Sequence, residues 1–271
     1  MSLYALPLIF ALTTSALADE TAPAAEPAAD PAPAVEPAPV VEPSPTEEAL
    51  AALPALYRKR DRAGVAQQAI DLIDAALLTD PDNAELHWRV APFLFWLADT
   101  SSDDKLKASQ AKLCWDHAER VVQLDPTLVQ GHYWTMACIG TYSEGVGILN
   151  AVRQGLATKF EAAGLKAASI DSRYDSGGPL RGLGRYHDQL PWPLRDAGKS
   201  RDYLQQALAV DPNHARNLYF MADLELEEGN GAEARALLER VLALDPNASN
   251  NPPEVRRFHV LASALMGEID D

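Results

Sequence analysis

The stretch LYFMADLELEEGNGAEARALLERVLALDP, Leu218 to Pro246, carries two amphipathic helices joined by a glycine turn. Leu218, Met221, Ala222 and Leu226 recur at the three- and four-residue steps that line up on one face of a helix. Gly229-Asn230-Gly231 interrupts the pattern, because glycine reaches backbone angles that a tight reversal needs. Ala234, Leu238 and Val241 then resume the spacing, and the small Ala222 and Ala234 let the two helices approach closely. Asp245-Pro246 ends the second helix, since proline has no N–H to continue the ladder. The unit is a helical hairpin.

The same ending recurs along the chain. LLTDPDN ends at Asn83, VVQLDPT at Thr127, LAVDPNH at His214 and LALDPNA at Ala248, while Ser169-Ile170-Asp171 closes a helix without the proline. These aspartates, at 80, 125, 171, 211 and 245, are separated by the periods typical of helical repeat proteins. The slots Ala234, Leu238, Val241 and Pro246 resemble the tetratricopeptide repeat, and Ala69, Ile73, Ala76 and Pro81 reproduce their spacing. Leu53, Leu56 and Tyr57 supply the first helix of the first hairpin, with Pro54 expected near its start. A further repeat offers Trp134, the small pair Ala137 and Cys138, then Tyr142. The expectation is an all-α fold: an α-solenoid of about five tetratricopeptide-like hairpins plus a C-terminal capping helix, over residues 46–271.

The first 45 residues read differently. Residues 1–18 hold an apolar run from Leu3 to Leu12 and then Ala16-Leu17-Ala18, the pattern of a cleavable signal peptide, although Met1 to Tyr4 lacks the usual basic residue. Residues 19–45 contain eight prolines, eight alanines and six acids, a composition that cannot bury enough apolar surface to order itself. They are expected to be an extended, disordered linker, with Thr46 as the N-cap of the first helix and Glu47 and Glu48 in its first turn. This implies a periplasmic or secreted protein, soluble after cleavage. No cysteine lies near the cleavage site to take a lipid. A net charge of −16 argues against nucleic acid and anionic membrane surfaces as partners. Beyond the leader no apolar run is long enough to span a bilayer.

The most unusual stretch is residues 172–199, SRYDSGGPLRGLGRYHDQLPWPLRDAGK, with five glycines, three prolines and four arginines. It contains neither GxGxxG nor a phosphate-loop lysine, so its glycines read as packing positions: Gly182 and Gly184 for close helix approach, Gly177-Gly178-Pro179 as a break and restart. Gly177-Gly178-Pro179, Leu183-Gly184-Arg185, Pro191-Trp192-Pro193 and Asp211-Pro212 together resemble the TRAP-transporter T-component family of periplasmic tetratricopeptide proteins. The Leu-Gly-Arg followed by aromatic Tyr186 is also similar, more weakly, to eukaryotic regulators of microtubule dynamics. The first resemblance implies an interaction module that docks a periplasmic solute-binding protein, and a trimer with a hydrophobic channel for a ligand. The absent lipid-attachment cysteine departs from lipid-anchored members.

Residue chemistry adds several candidates. Arg181, Arg185 and Arg195 stand out in an acidic chain; they pair with local acids such as Asp175, Asp188 and Asp196, or bind a carboxylate of a ligand or partner. Trp88, Phe93, Phe95 and Trp96 within nine residues, with Trp134 and Tyr142 later, exceed what one apolar stripe can bury. Most are core, and some are expected to line a ligand cavity or a subunit interface. Cys114 and Cys138 lie equally far from Pro126 on helices expected to run antiparallel, so a disulfide and two buried free thiols are both open. The six histidines show neither HExxH nor i, i+4 spacing, and no catalytic constellation is visible, so no metal, cofactor or enzymatic activity is expected. His117 and His132 are expected near one another across the Pro126 turn. The reading is an exported helical-repeat scaffold with a protein partner. The alternative is a self-assembling envelope protein without a small-molecule ligand.

Overall fold

A computed structural model describes residues 42–270; the expected signal peptide and the linker up to residue 41 lie outside them. The described residues form twelve helices and, among them, no strand. α1 (Pro45–Tyr57) pairs with α2 (Val65–Leu77), and α3 (Ala84–Asp99) with α4 (Asp104–Leu124). α5 (Val129–Val146) pairs with α7 (Leu156–Asp171) across the short α6 (Ile148–Arg153). α8 (Tyr174–Gln189) pairs with α9 (Ala197–Val210), and α10 (Ala215–Glu227) with α11 (Gly231–Leu242). α12 (Pro252–Asp270) packs on both members of the last pair. Five hairpins and a capping helix are what the spacing predicts.

Local chemistry explains the boundaries. α1 begins earlier than expected: Ser44, not Thr46, is its N-cap. The Ser44 hydroxyl accepts the Glu47 N–H at 3.3 Å, and the Glu47 carboxylate takes the Ser44 N–H at 2.8 Å. Pro45 follows at the first helical position, where its missing N–H costs nothing, so the helix is capped two residues sooner. Pro54 corrects a second expectation, because it sits in the last turn of α1 rather than near its start. The recurrent aspartates have a common job. Asp125, Asp171, Asp211 and Asp245 each accept, through Oδ1, the backbone N–H two residues on, at 2.8–3.1 Å. Asp80 instead accepts the side-chain amide of Asn83 at 2.7 Å, and Asn83 caps α3 through the Leu86 N–H.

The first helix of each hairpin touches the first helix of the next, so α1, α3, α5, α8, α10 and α12 form an inner layer. Two main apolar cores result. One gathers Ile73, Leu86, Phe93 and Ile139 from the first three hairpins; the other gathers Leu218, Leu238, Val241 and Phe258 around α10 to α12. Between them runs α8, which opens with Asp175, Ser176 and Gly177 in the left-handed region (φ 49°, 56° and 84°) before Pro179 restarts a regular helix. A β-carbon on Gly182 would lie 2.2 Å from Cε of Met136, and one on Gly184 2.7 Å from Cγ of Leu204. The glycines therefore act as the close-approach positions that the sequence suggests.

The row of hairpins curls until its ends meet. The Arg58 guanidinium donates to the Asn250 carbonyl at 3.2 Å, and Arg60 to Oδ1 of Asn251 at 2.7 Å. From the other side Arg256 donates to Asp61 at 2.7 Å. Between the outer and inner layers, Cys114 on α4 and Cys138 on α5 are buried and joined as a disulfide, with Cα atoms 5.8 Å apart. That pairing is the first of the two arrangements left open by the sequence.

Candidate functional site

The inner layer holds a cavity of about 160 Å³ bounded by α3, α5, α6, α7, α8 and α10. Its existence follows from repeat length. The residues that make the third repeat longer than its successors fold into α6, whose Ile148, Ala151 and Val152 wall one side. Met136, Phe95, Phe160, Tyr186 and Phe220 are among its other apolar lining residues, and Phe160 stacks on Tyr186 with ring centres 5.0 Å apart. Arg181, Arg185 and Arg216 are the cations of the wall. A smaller cleft of about 20 Å³ adjoins it and shares Phe95, Tyr133, Arg181 and Arg216.

Behind the cavity lies a buried polar seam between the two cores. Arg181 donates to Asp175 (2.6 Å), the Tyr133 hydroxyl (3.1 Å) and Oδ1 of Asn217 (2.9 Å). Burial pushes the Asp175 carboxyl up, but Arg181, His214 and the Tyr133 hydroxyl outweigh this and hold it below the usual carboxylate range. Burial likewise opposes ionisation of Glu254, and Arg216, His214 and Arg181 reverse the effect. Asp99 of α3 ties the second hairpin to α10 and α12: Arg216 reaches it at 3.2 Å and Arg257 at 3.1 Å. His214 sits 3.2 Å from Glu254, and burial depresses its pKa despite that carboxylate.

The structure distributes the sequence candidates unevenly. Phe95, Arg181, Arg185 and Tyr186 line the cavity, and Trp96 and Trp134 line the adjoining cleft. Trp88 lies elsewhere under the Arg89 guanidinium, 4.1 Å from its ring centre, and Tyr142 packs against Trp115. Arg195 is bound by Asp188, Glu227 and Glu228 and does not reach the cavity. Of the local acids, Asp175 and Asp188 pair with these arginines as expected, whereas Asp196 caps α9. Asp223 and Glu227 arrive from α10, which no local spacing foretells. Asp188, Asp223 and Glu227 cluster within 4.8 Å, and each is already paired with or beside Arg185 or Arg195. The sequence does not single out Tyr133, Met136, Phe160, Arg216 and Phe220, because the four uncharged ones read as ordinary core positions of their own helices and Arg216 as a surface arginine.

The histidine expectation needs correction. His117 meets His87, with their Nδ1 atoms 2.8 Å apart, while His132 turns to the Pro126 carbonyl at 2.9 Å. His87 makes the equivalent contact to the Pro81 carbonyl at 3.0 Å, so these side chains help close the Asp-Pro turns.

This architecture is a tetratricopeptide-like α-solenoid, a scaffold suited to protein–protein interaction. The family model described as regulator of microtubule dynamics protein 1-3 matches residues 53–176, and a tetratricopeptide repeat model matches residues 195–257. The two matches fall on the two main cores, and neither is a TRAP-transporter T-component model. No curated protein matches the chain. Among solved structures, TTC0263, a thermophilic TPR protein of Thermus thermophilus, is 18% identical, with a TM-score of 0.59 over 80% of this chain and 96% of that one. That likeness establishes the fold alone. MamA (15% identical, 67% of this chain and 90% of that one, TM-score 0.44) and Pseudomonas aeruginosa pilF (16%, 82% and 86%, 0.49) superpose too loosely to argue from. No helix among the described residues is long and apolar enough to cross a membrane.

Proposed function

We propose that this chain is an exported helical-repeat scaffold, an accessory of a TRAP-type transporter that docks a periplasmic solute-binding protein and shelters a small, partly apolar ligand. The observation that carries the reading is the inner-layer cavity, apolar over most of its wall and edged by arginines. The signal-like residues 1–18 and the likeness of residues 177–212 to T-component proteins support export and transport in turn. A second reading, self-association without a ligand, is favoured by one feature: Trp192 on the α8–α9 loop is 90% exposed beside the half-exposed Leu194.

Native mass spectrometry separates the two readings. The full chain is produced with its own leader in a Gram-negative host and collected from the periplasm without reduction. Export and cleavage after Ala18, with a small non-covalent adduct on the protein, support the transporter reading. A ligand-free oligomer that Trp192→Ala converts to monomer supports self-association instead.

A further inference from the structure

We infer that the inner-layer cavity is a binding site for an amphipathic monocarboxylic acid, its carboxylate at the Arg216 end and its apolar part against Met136, Phe160 and Phe220. This names the ligand class of the sheltering role proposed above and rests on that reading. Three observations converge on it.

The first is a count of charge among the described residues. Arg60, Arg181, Arg216 and Arg257 face three carboxylates, those of Asp99, Asp175 and Glu254, so the seam carries one more cation than anion. Arg60 is the cation without a carboxylate: it stacks between the rings of Tyr57 and Trp96 (4.0 and 4.6 Å) and donates only to a carbonyl and an amide oxygen. His214 does not add a further charge at neutral pH, since burial keeps it neutral. Glu144, also on the cavity wall, is held by Lys107 at 3.1 Å.

The second is an unfilled donor. Arg216 is 8% exposed and borders both the cavity and the cleft, and its Nε, itself closed to solvent, has no hydrogen-bond partner among the described residues. A buried donor in that state favours an acceptor brought in from outside. The cleft beside it has room for a group the size of a carboxylate oxygen.

The third is polarity along the cavity. Arg185, also on the cavity wall, is flanked by Asp188, Asp223 and Glu227, where acids outnumber cations, so an anionic head is directed to Arg216 instead. A dry cavity of about 150 Å³ accepts a benzene ring, and this one is of that size. The ligand class is therefore an aryl or short acyl acid rather than a long-chain lipid.

Calorimetry of the full chain with hexanoate, phenylacetate, 1-hexanol and hexylamine tests the assignment. At pH 7 hexanoate should bind at least about tenfold more tightly than 1-hexanol, the gain of a charge-assisted hydrogen bond. Ala157→Trp, which fills the cavity from its α7 wall, should abolish both. Arg216→Gln should bring the acid down to the affinity of the alcohol. Should that variant not fold, the acid-to-alcohol ratio in the unaltered chain still decides. Equal affinity for acid and alcohol, or tighter binding of the amine, overturns the anion site and leaves the apolar shelter standing. Binding that survives Ala157→Trp places the acid elsewhere and overturns the inference. No binding of any probe at millimolar concentration removes the sheltering role and this inference together.

Discussion

Single residues show how little room the hairpins leave. A β-carbon on Gly145 of α5 would lie 2.7 Å from the backbone nitrogen of Ala108 and 2.9 Å from the carbonyl oxygen of Asp104, atoms that cannot swing aside. Gly145→Ala should therefore cost about 2 kcal/mol in urea unfolding, overpacking outweighing the better helix propensity. Gly267 on α12 has nothing within 4 Å of such a carbon, so Gly267→Ala should add about 0.5–1 kcal/mol. A pH effect belongs to this scale too. Burial, and then the neighbouring His87, hold the His117 pKa down at about 4. As pH falls below 6.5 the unfolded chain takes up a proton there that the folded chain refuses until about pH 4. Stability should thus drop by about 1.4 kcal/mol per pH unit through that window. Burial lowers His187 and His214 as well and steepens the loss. Melting curves at pH 7 and 5 should show the fall, and His117→Gln should remove roughly 2 kcal/mol of it.

Elements are held by different means at different points in the row. α4 and α5 are joined by the Cys114–Cys138 bond across 24 residues of chain, a closure that restricts the unfolded ensemble by about 3 kcal/mol. An unreduced intact mass two daltons below the thiol value is expected, and reduction should lower the melting temperature by several degrees. The sequence places both cysteines at matching heights but does not say that they face each other, because helix rotation depends on the neighbours each helix packs against. α8 shows the converse. Its glycines and prolines announce a break, and the break is there, yet what tolerates Asp175 and Ser176 at positive φ comes from outside the helix. Arg181 and Tyr133 hold the Asp175 carboxylate, and Asn217 of α10 donates to the Ser176 carbonyl at 3.0 Å.

At the scale of the whole molecule the solenoid departs from a simple one-dimensional stack. Stacked repeats ordinarily touch only their neighbours. Here Asp99 of α3 binds Arg216 of α10 and Arg257 of α12, and the loop after α1 meets the loop before α12. Asp99→Asn would leave two arginines around a neutral amide, with a loss of about 3–5 kcal/mol for breaking a buried charge pair. The variant should also unfold in two steps, the C-terminal hairpin first, where the unaltered chain unfolds in one. Hydrogen exchange resolved by segment would read that directly, and protection of residues 215–270 equal to that of residues 65–171 in the variant would refute the coupling.

The sequence alone determined the hairpins, their number and most of their turns, since periodicity, Asp-Pro turns and glycine breaks act between residues a few positions apart; the start of α1 it placed two residues late. It also marked Phe95, Arg181, Arg185 and Tyr186 as unusual, and these do line the cavity. Only the tertiary structure decided that Tyr133, Phe160, Arg216 and Phe220 stand with them, and that His87 rather than His132 meets His117. It alone closed the row, through contacts such as Arg216 to Asp99 that join residues more than a hundred positions apart. Such contacts depend on the small rotation between successive hairpins, summed over five of them. No short window of sequence contains that sum.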